Sequence, residues 1–276
     1  MSEAWDDGSG RRWALVLGAS SGFGEAAALA LAADGYDICG VHLDRRQAME
    51  RVEQIKSRIG DYGREALFFN VNAADDEQRG RVVAGLRERI DAASGTPAPY
   101  VRVMLHSLAF GTLKPFLARE PSDGITRRNM EMTLDVMAHS LVYWSQDVWR
   151  AGLFGAESKI YAMTSEGSTR VVGSYGAVSA AKSALESHCR QLAMEFARAG
   201  GQVTVNAIRA GVTRTPALMQ IPEAQELIDH ATKRNPMGRM TTVDDVAGAI
   251  VTLSRPGTHW MTGNVIGVDG GELVSG

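Results

Sequence analysis

The sequence predicts an α/β fold in which a doubly wound parallel sheet carries helices on both of its faces. Short apolar runs rich in β-branched residues alternate with stretches of helical character along nearly the whole chain. This alternation is typical of parallel strands joined by helical crossovers. The chain has 276 residues, 45% hydrophobic and 22% charged, as in an ordinary globular protein. Because it shows no repeat and no linker, we expect one domain over residues 12–276.

Strands are predicted where apolar runs are bounded by turn residues. The first run ends at a glycine, and the last lies just before an Asp-Gly-Gly sequence. In chain order the predicted strands are Trp13–Leu17, Asp37–Leu43, Leu67–Val71, Tyr100–His106, Lys159–Thr164, Val203–Ile208 and Val265–Val268.

Helices are predicted between these strands from helical periodicity or from residues of high helix propensity. In chain order they are Gly24–Ala33, Gln47–Ile59, Asp76–Ile90, Arg128–Trp149, Tyr175–Ala199 and Val243–Leu253. The longest irregular insertion is 213–240, which we interpret as a substrate lid near the carboxyl ends of the strands. Its apolar residues suit an acyl chain, although an amphipathic helix would show the same pattern.

Charge and composition argue against several classes of protein. The net charge of −3 disfavours a nucleic-acid partner. No stretch reaches the roughly 20 apolar residues that a membrane span needs. Residues 1–11 are polar, lack the features of a signal peptide and are expected to form a disordered tail. Cys39 and Cys189 are not at metal-ligand spacing, so we expect no metal site and free thiols in a cytoplasmic protein.

A glycine-rich turn with the spacing G-x-x-x-G-x-G follows the first strand. Its glycines permit close approach of the main chain to a pyrophosphate, and the next helix offers free N–H groups and a positive dipole end. The position between a strand and an alanine-rich helix favours a dinucleotide site over an ordinary turn. The candidate cofactor residues are Gly18, Ser20, Ser21, Gly22, Phe23 and Gly24.

This turn resembles that of the short-chain dehydrogenase/reductase family, and the resemblance extends from about residue 12 to the end of the chain. It implies a single-domain Rossmann-type fold, a nicotinamide cofactor and a homotetramer.

The end of the second strand distinguishes NADPH from NADH. A carboxylate there binds the adenosine ribose, whereas an arginine pairs with a 2′-phosphate. Asp44 is followed by Arg45 and Arg46; we interpret Arg45 as favouring NADPH, with NADH as the alternative. The interpretation of both arginines as solvated residues before the next helix stays open. The family resemblance implies that Asn70 and Val71, after the third strand, contact the adenine.

Tyr175 and Lys182 are the candidate catalytic pair. Seven positions along a helix are close to two turns, so both side chains would lie on one face. A nearby ammonium group favours the phenolate form of a tyrosine, whose ordinary pKa is about 10, and so strengthens it as an acid. Taken alone the pair is not specific, because a tyrosine at the protein boundary could account for Tyr175.

The spacing Tyr-x6-Lys is longer than that of ordinary family members, which have tyrosine where this chain has Val178. It resembles the divergent enoyl-acyl-carrier-protein reductases. The runs His106–Phe110, Asp135–Leu141 and Val205–Thr215 are also similar to theirs. This match implies further cofactor contacts at Ser107, Lys182, Gly211, Val212 and Thr213.

Ser165, seventeen residues before Lys182, stands where many enoyl reductases carry a second tyrosine. A subset of NADPH-using enoyl reductases has serine there, and ordinary family members use a catalytic serine at this position. A serine hydroxyl can form a hydrogen bond with a reacting carbonyl. Ser165 is therefore the third catalytic candidate, with a serine that binds only the local main chain as the alternative.

Together these features predict the reduction of a 2-enoyl thioester, carried by acyl carrier protein or coenzyme A, in fatty-acid-type metabolism. Tyr175 would donate a hydrogen bond to the thioester oxygen. The second hypothesis is a 3-ketoacyl or other carbonyl reductase that uses Ser165 and Tyr175. The third is a non-catalytic NADP-binding regulator, against which the presence of both Tyr175 and Lys182 argues.

Overall fold

The computed structural model describes residues 11–93, 99–200, 203–221 and 224–275, so the predicted tail lies outside the described residues except for Arg11. The predicted fold class is confirmed: seven parallel strands form one sheet in the order β3-β2-β1-β4-β5-β6-β7. The strands are β1 Arg12–Leu17, β2 Tyr36–His42, β3 Ala66–Asn70, β4 Tyr100–His106, β5 Phe154–Thr164, β6 Thr204–Ala210 and β7 Val265–Val268.

The α-helices of the described residues cover the two faces of this sheet. They are α1 Gly22–Ala33, α2 Met49–Asp61, α3 Asp76–Ala92, α4 Arg127–Leu134, α5 Ser140–Arg150, α6 Gly176–Arg198, α7 Ala224–Arg234 and α8 Val243–Ser254. One apolar core joins the sheet to α3, α5 and α6, with Trp144 at its centre. The other joins the sheet to α1, α2 and α8. Strands β1 and β2 are therefore buried along their whole length, whereas the edge strands β3 and β7 are only partly buried.

The strand order reverses between β1 and β4, because the chain first builds β1-β2-β3 in one direction and then β4 to β7 in the other. In open parallel sheets the ligand crevice lies at such a reversal, outside the carboxyl ends of the strands. The glycine-rich turn leaves β1 at this point, and His106 ends β4 beside it. The fold therefore gathers the candidate residues at one edge of the sheet, which we call the carboxyl edge.

Two predicted elements differ from the structure. The single helix expected over Arg128–Trp149 is divided into α4 and α5 by a π-helical turn, Asp135–His139, inside which an extra residue interrupts the regular hydrogen bonding. The insertion 213–240 is not wholly irregular, because it contains α7. Ile228 and Ala231 form the buried side of α7, so the amphipathic-helix interpretation is correct for this part of the insertion.

Candidate active site

The glycine-rich turn is held against β2 and leaves its main chain accessible to a ligand. The N–H groups of Gly18 and Ala19 both donate to the carbonyl oxygen of Val41, at 2.8 and 3.0 Å. A Cβ at Gly24 would lie 2.0 Å from the carbonyl oxygen of Gly18, so only glycine fits there. Ser21 begins α1 with extended backbone and no side-chain cap. The N–H groups of the first turn are therefore available to a phosphate.

The end of β4 borders the same turn. The N–H of Ser107 donates to the carbonyl oxygen of Leu17 at 2.9 Å. Gly18 has a φ of +90°, and a Cβ there would lie 2.5 Å from the carbonyl oxygen of Ser107. A residue with a side chain at position 18 would thus both strain the backbone and separate the two strand ends. The structure accordingly brings Ser107 to the glycine-rich turn.

The end of β2 is ordered by three polar side chains. The Asn70 amide accepts from the N–H of Asp44 and donates to its carbonyl oxygen, both at 3.0 Å. The Asp44 carboxylate lies 2.9 Å from Nδ1 of the buried His42. Arg45 is exposed and starts a short 3₁₀ turn. The structure therefore assigns Asn70 a role in fixing the loop, and Asp44 is the better ordered of the two charged candidates.

Tyr175 and Lys182 lie at the carboxyl edge, Tyr175 at the start of α6 and Lys182 within it. Tyr175 immediately precedes the helix, and Lys182 stands two turns along it. The Lys182 ammonium is buried and donates to the carbonyl oxygen of Met163 at 2.7 Å. Burial lowers the pKa of Lys182 to about 8, although the nearby Glu186 carboxylate opposes this shift. Burial likewise raises the pKa of Tyr175.

Ser165 lies beside Tyr175 at the end of β5. Its hydroxyl is buried and has no well-formed hydrogen bond in the described part of the chain, yet it stands close enough to lower the pKa of Tyr175 against the effect of burial. Gly167 makes this proximity possible. A Cβ at Gly167 would lie 2.6 Å from the Tyr175 ring and 3.2 Å from the Ser165 hydroxyl oxygen. Gly167 was not a sequence candidate, because nothing in its local pattern marks it.

His106, the last residue of β4, is held in place and uncharged near Lys182. Its ring is fully buried, and Nε2 lies 2.8 Å from the Ser140 hydroxyl oxygen, next to the π-helical turn. Burial and the charge of Lys182 lower the pKa of His106 to about 3. The ring therefore stays uncharged at neutral pH, which agrees with a structural role and not with a general acid.

The loop after β6 closes the other side of the crevice. The N–H of Val212 donates to the Glu272 carboxylate at 3.0 Å, and the Thr213 hydroxyl donates to the carbonyl oxygen of Gly211 at 2.9 Å. The methyl group of Thr215 is 3.5 Å from the position of a Cβ on Gly22. This contact places the loop against the glycine-rich turn, so the candidates of both segments border one crevice.

Metal ligands are absent from the part of the chain that the structure describes, where no group of three or more His, Cys, Asp or Glu side chains could hold an ion. His139 and His188 form a pair, with Nδ1 and Nε2 3.0 Å apart, but without a third ligand. Both cysteines are buried free thiols, as predicted. The residues at the crevice fit a dinucleotide, because the glycine cradle and the free N–H groups at the start of α1 lie together at the carboxyl edge.

Comparison with known proteins identifies the family to which this chain belongs. The family model described as Enoyl-(Acyl carrier protein) reductase matches residues 18–272. The chain belongs to this family of short-chain dehydrogenases/reductases. The enoyl-acyl-carrier-protein reductase (NADH) of Aquifex aeolicus is 30% identical over 177 residues, a stretch that spans 63% of each protein.

Solved structures of the family share the whole fold. The crystal structure of the enoyl-acyl-carrier-protein reductase (NADH) from Aquifex aeolicus VF5 superposes with a TM-score of 0.81 at 25% identity, covering 97% of this chain and 98% of that one. A short-chain dehydrogenase from Burkholderia cenocepacia J2315, in complex with NADP, has a TM-score of 0.77 at 25% identity, covering 95% and 98%. The predicted family and Rossmann-type fold are thus confirmed. Within the described ranges, no helix has the length and apolarity to cross a membrane.

Proposed function

We propose that this protein is an NAD(P)H-dependent reductase of 2-enoyl thioesters. The observation that carries the proposal is the source of the catalytic hydroxyl. Val178, where ordinary family members have tyrosine, is buried, and its methyl group lies 2.7 Å from the Cβ position of Gly111. Position 178 therefore carries no hydroxyl, and we infer that the catalytic hydroxyl comes from Tyr175, with the Tyr-x6-Lys spacing of the enoyl reductases.

In this proposal each residue of the crevice has a separate role in the reaction. A bound nicotinamide dinucleotide would supply the hydride for the β-carbon, and a proton from solvent would go to the α-carbon to complete the reduction. Tyr175 donates a hydrogen bond to the thioester oxygen, on which negative charge develops, and Ser165 offers a second hydroxyl to the same oxygen. We propose that the Lys182 ammonium binds the ribose of the cofactor and, in the loaded site, favours the ionised form of Tyr175. The positive charge also compensates the charge that forms in a site with little water.

Apolar side chains near the crevice support an acyl substrate. The Phe116 ring packs on Gly176, the residue after Tyr175, because a Cβ at 176 would lie 2.4 Å from it. Several other large apolar side chains are exposed in the segments that follow β4 and β6, where they cost free energy unless a ligand covers them. They are Phe110, Leu117, Met219 and Met237. We propose that residues 213–240 close over the acyl chain.

The second candidate, a 3-ketoacyl or other carbonyl reductase, rests on the buried Ser165 hydroxyl beside Tyr175. Steady-state oxidation of NADPH and NADH separates the two activities when the purified protein receives a 2-enoyl or a 3-ketoacyl thioester. The proposal expects turnover of the enoyl substrate and its loss in Tyr175→Phe, by on the order of 100-fold or more. Tyr62→Phe, at an exposed tyrosine after α2, is the matched control. Turnover of the ketoacyl thioester alone would replace the first proposal with the second.

The preferred cofactor is proposed to be NADPH, with Arg45 as the partner of its 2′-phosphate. A specific observation favours NADH as the second candidate, because the ordered Asp44 carboxylate would repel that phosphate and suits ribose hydroxyls. Several relatives, including that from Aquifex aeolicus, carry NADH in their names. Arg45→Gln should raise KM for NADPH but not for NADH, and Asp44→Asn should do the reverse. If neither changes the ratio of kcat/KM for the two cofactors, this loop does not select between them.

The family also leads us to propose a cytoplasmic homotetramer that acts on substrates bound to acyl carrier protein. Trp149 on α5 and Met194 on α6 are exposed apolar residues, which supports an interface on these helices. Sedimentation of the purified protein measures the oligomeric state directly, and comparison of acyl-carrier-protein with coenzyme A thioesters identifies the carrier.

A further inference from the structure

A cluster of buried charges lies directly behind the crevice. One terminal nitrogen of the Arg234 guanidinium donates to the carboxylates of Glu166, at 3.1 Å, and Glu272, at 3.2 Å. The Arg234 side chain is only 10% exposed and that of Glu272 only 3%. Burial raises the pKa of Glu272, and the negative charge of Glu166 adds to this shift, while the Val212 N–H and Arg234 oppose it. Arg234 is the cation that bonds to both.

Each carboxylate belongs to a different wall of the crevice. Glu166 directly follows Ser165, at the start of the short 3₁₀ turn that contains Gly167. Glu272 accepts from the N–H of Val212, and its oxygen would lie 2.7 Å from a Cβ on Gly211. The position of the Glu272 carboxylate therefore determines where the main chain of the loop after β6 can lie.

Arg234 is in turn held from the C-terminal segment. Its carbonyl oxygen accepts from the Ser275 hydroxyl at 2.8 Å, and the neighbouring Asn235 amide donates to the carbonyl oxygen of Asp269 at 2.9 Å. The end of α7, inside the insertion 213–240, is thus fixed to the segment that follows β7. Arg234 therefore connects α7 directly with the stretch that contains Ser165 and with the segment after β7, and through Glu272 it also reaches the Val212 loop.

We propose that Arg234 is a positioning residue, which holds the Ser165 wall and the Val212 wall in register by pairing with Glu166 and Glu272 together. Arg170 would still lie 3.8 Å from Glu166, but the two facing carboxylates would lose the guanidinium that bonds to both of them. Removal of one partner from such a buried group is strongly destabilising. The carboxylates would separate or take up a proton, and the Val212 loop would move with Glu272. Small displacements of this kind cost on the order of 100-fold in rate.

The test compares Arg234→Met with Lys233→Met, a matched variant at the preceding exposed position of α7. We expect Arg234→Met to weaken NAD(P)H binding and to lower kcat/KM by roughly 10- to 100-fold, while Lys233→Met stays within about twofold of the wild-type protein. Arg234→Lys, which keeps the charge but not the fork, should fall between them. Unchanged dinucleotide affinity and kcat/KM in Arg234→Met would overturn the proposal.

A charge rescue separates positioning from simple packing. Arg234→Met combined with Glu166→Gln leaves one carboxylate in place of two, so we expect it to recover at least about threefold of the lost affinity. A double variant no better than the single one would show that only packing was lost. Thermal unfolding shows whether Arg234→Met folds. If it does not, the dinucleotide affinity of Arg234→Lys is the test, and an affinity equal to that of the wild-type protein would contradict the proposal. The expected change in kcat/KM rests on the proposed function, but the expected change in dinucleotide affinity does not. Titration with the dinucleotide therefore tests the role of Arg234 even if no enoyl thioester is reduced.

Discussion

A buried lysine lies at each end of the parallel strands, one at the carboxyl edge of the sheet and one at the opposite, amino edge. We propose that only the first takes part in catalysis. Lys182 lies at the carboxyl edge on α6, and Lys159 lies near the amino end of the β5–β6 ladder, where it pairs in register with Thr204. Both have pKa values lowered to about 8, first by burial. The Lys159 ammonium has no hydrogen-bond partner in the described residues, with Arg102 disfavouring its charge and Glu157 supporting it.

What separates these lysines is the place that the fold gives them. Lys182 lies at the carboxyl edge, on the helix that follows Tyr175, whereas Lys159 lies beside Arg102 and Glu157 near the amino ends of the strands. A perturbed pKa therefore marks a candidate but does not identify a catalytic residue. The direction of the strands supplies the missing information, because ligands bind beyond their carboxyl ends.

The largest expected effect is on turnover. Lys182→Met should reduce kcat with the enoyl thioester by roughly 100- to 10,000-fold, because Tyr175 loses the charge that strengthens it as an acid. Lys159→Met should leave kcat within about twofold, since the residue is remote from the crevice. Steady-state rates at saturating NAD(P)H measure both variants. A comparable loss in Lys159→Met would show that the two edges are not functionally distinct.

Sequence reasoning recovered what depends on local pattern. The strands and the glycine-rich turn follow from spacings within one element or one turn, and the Tyr175–Lys182 pair, predicted in the same way, stays a prediction. It did not find the cluster of Glu166, Arg234 and Glu272, because these residues are 38 to 106 positions apart and meet only in the folded chain. The π-helical turn was also missed, since the apolar pattern continues through it.

A second comparison concerns one glycine from each edge. Gly24→Ala should weaken dinucleotide binding by on the order of 100-fold, because the new methyl group would meet the Gly18 carbonyl oxygen in the cofactor cradle. Gly155→Ala, near the amino end of β5, would place its methyl group 2.4 Å from the Tyr100 ring and should destabilise the protein by about 1–3 kcal/mol. Titration with NAD(P)H should nevertheless give wild-type affinity for folded Gly155→Ala. If both variants bound the dinucleotide more weakly, binding at the glycine-rich turn would depend on packing throughout the sheet and not only on the space beside Gly24.

The smallest expected effect is on stability and has the same sign at both edges. The pKa of Lys182 is lowered from 10.5 to about 8, so at neutral pH burial of the charge costs about 3 kcal/mol. The native protein releases this proton above pH 8, while the unfolded chain keeps it until about pH 10.5. The contribution of Lys182 to the free energy of unfolding therefore rises with pH across that window.

Lys182→Met removes this contribution, so at neutral pH we expect the cofactor-free protein to gain about 1–2 kcal/mol, after loss of the hydrogen bond to Met163. The gain should shrink near pH 10, as the wild-type protein recovers. Lys159→Met should shift stability in the same direction, because the pKa of Lys159 is also lowered to about 8. Urea unfolding of the wild type and both variants at the two pH values measures the effect. If the two substitutions changed the free energy of unfolding in opposite directions, the cost of burying the charge would not be common to both lysines. If both changed it in the same direction but only Lys182→Met lowered kcat, the two lysines would differ only in their position relative to the crevice.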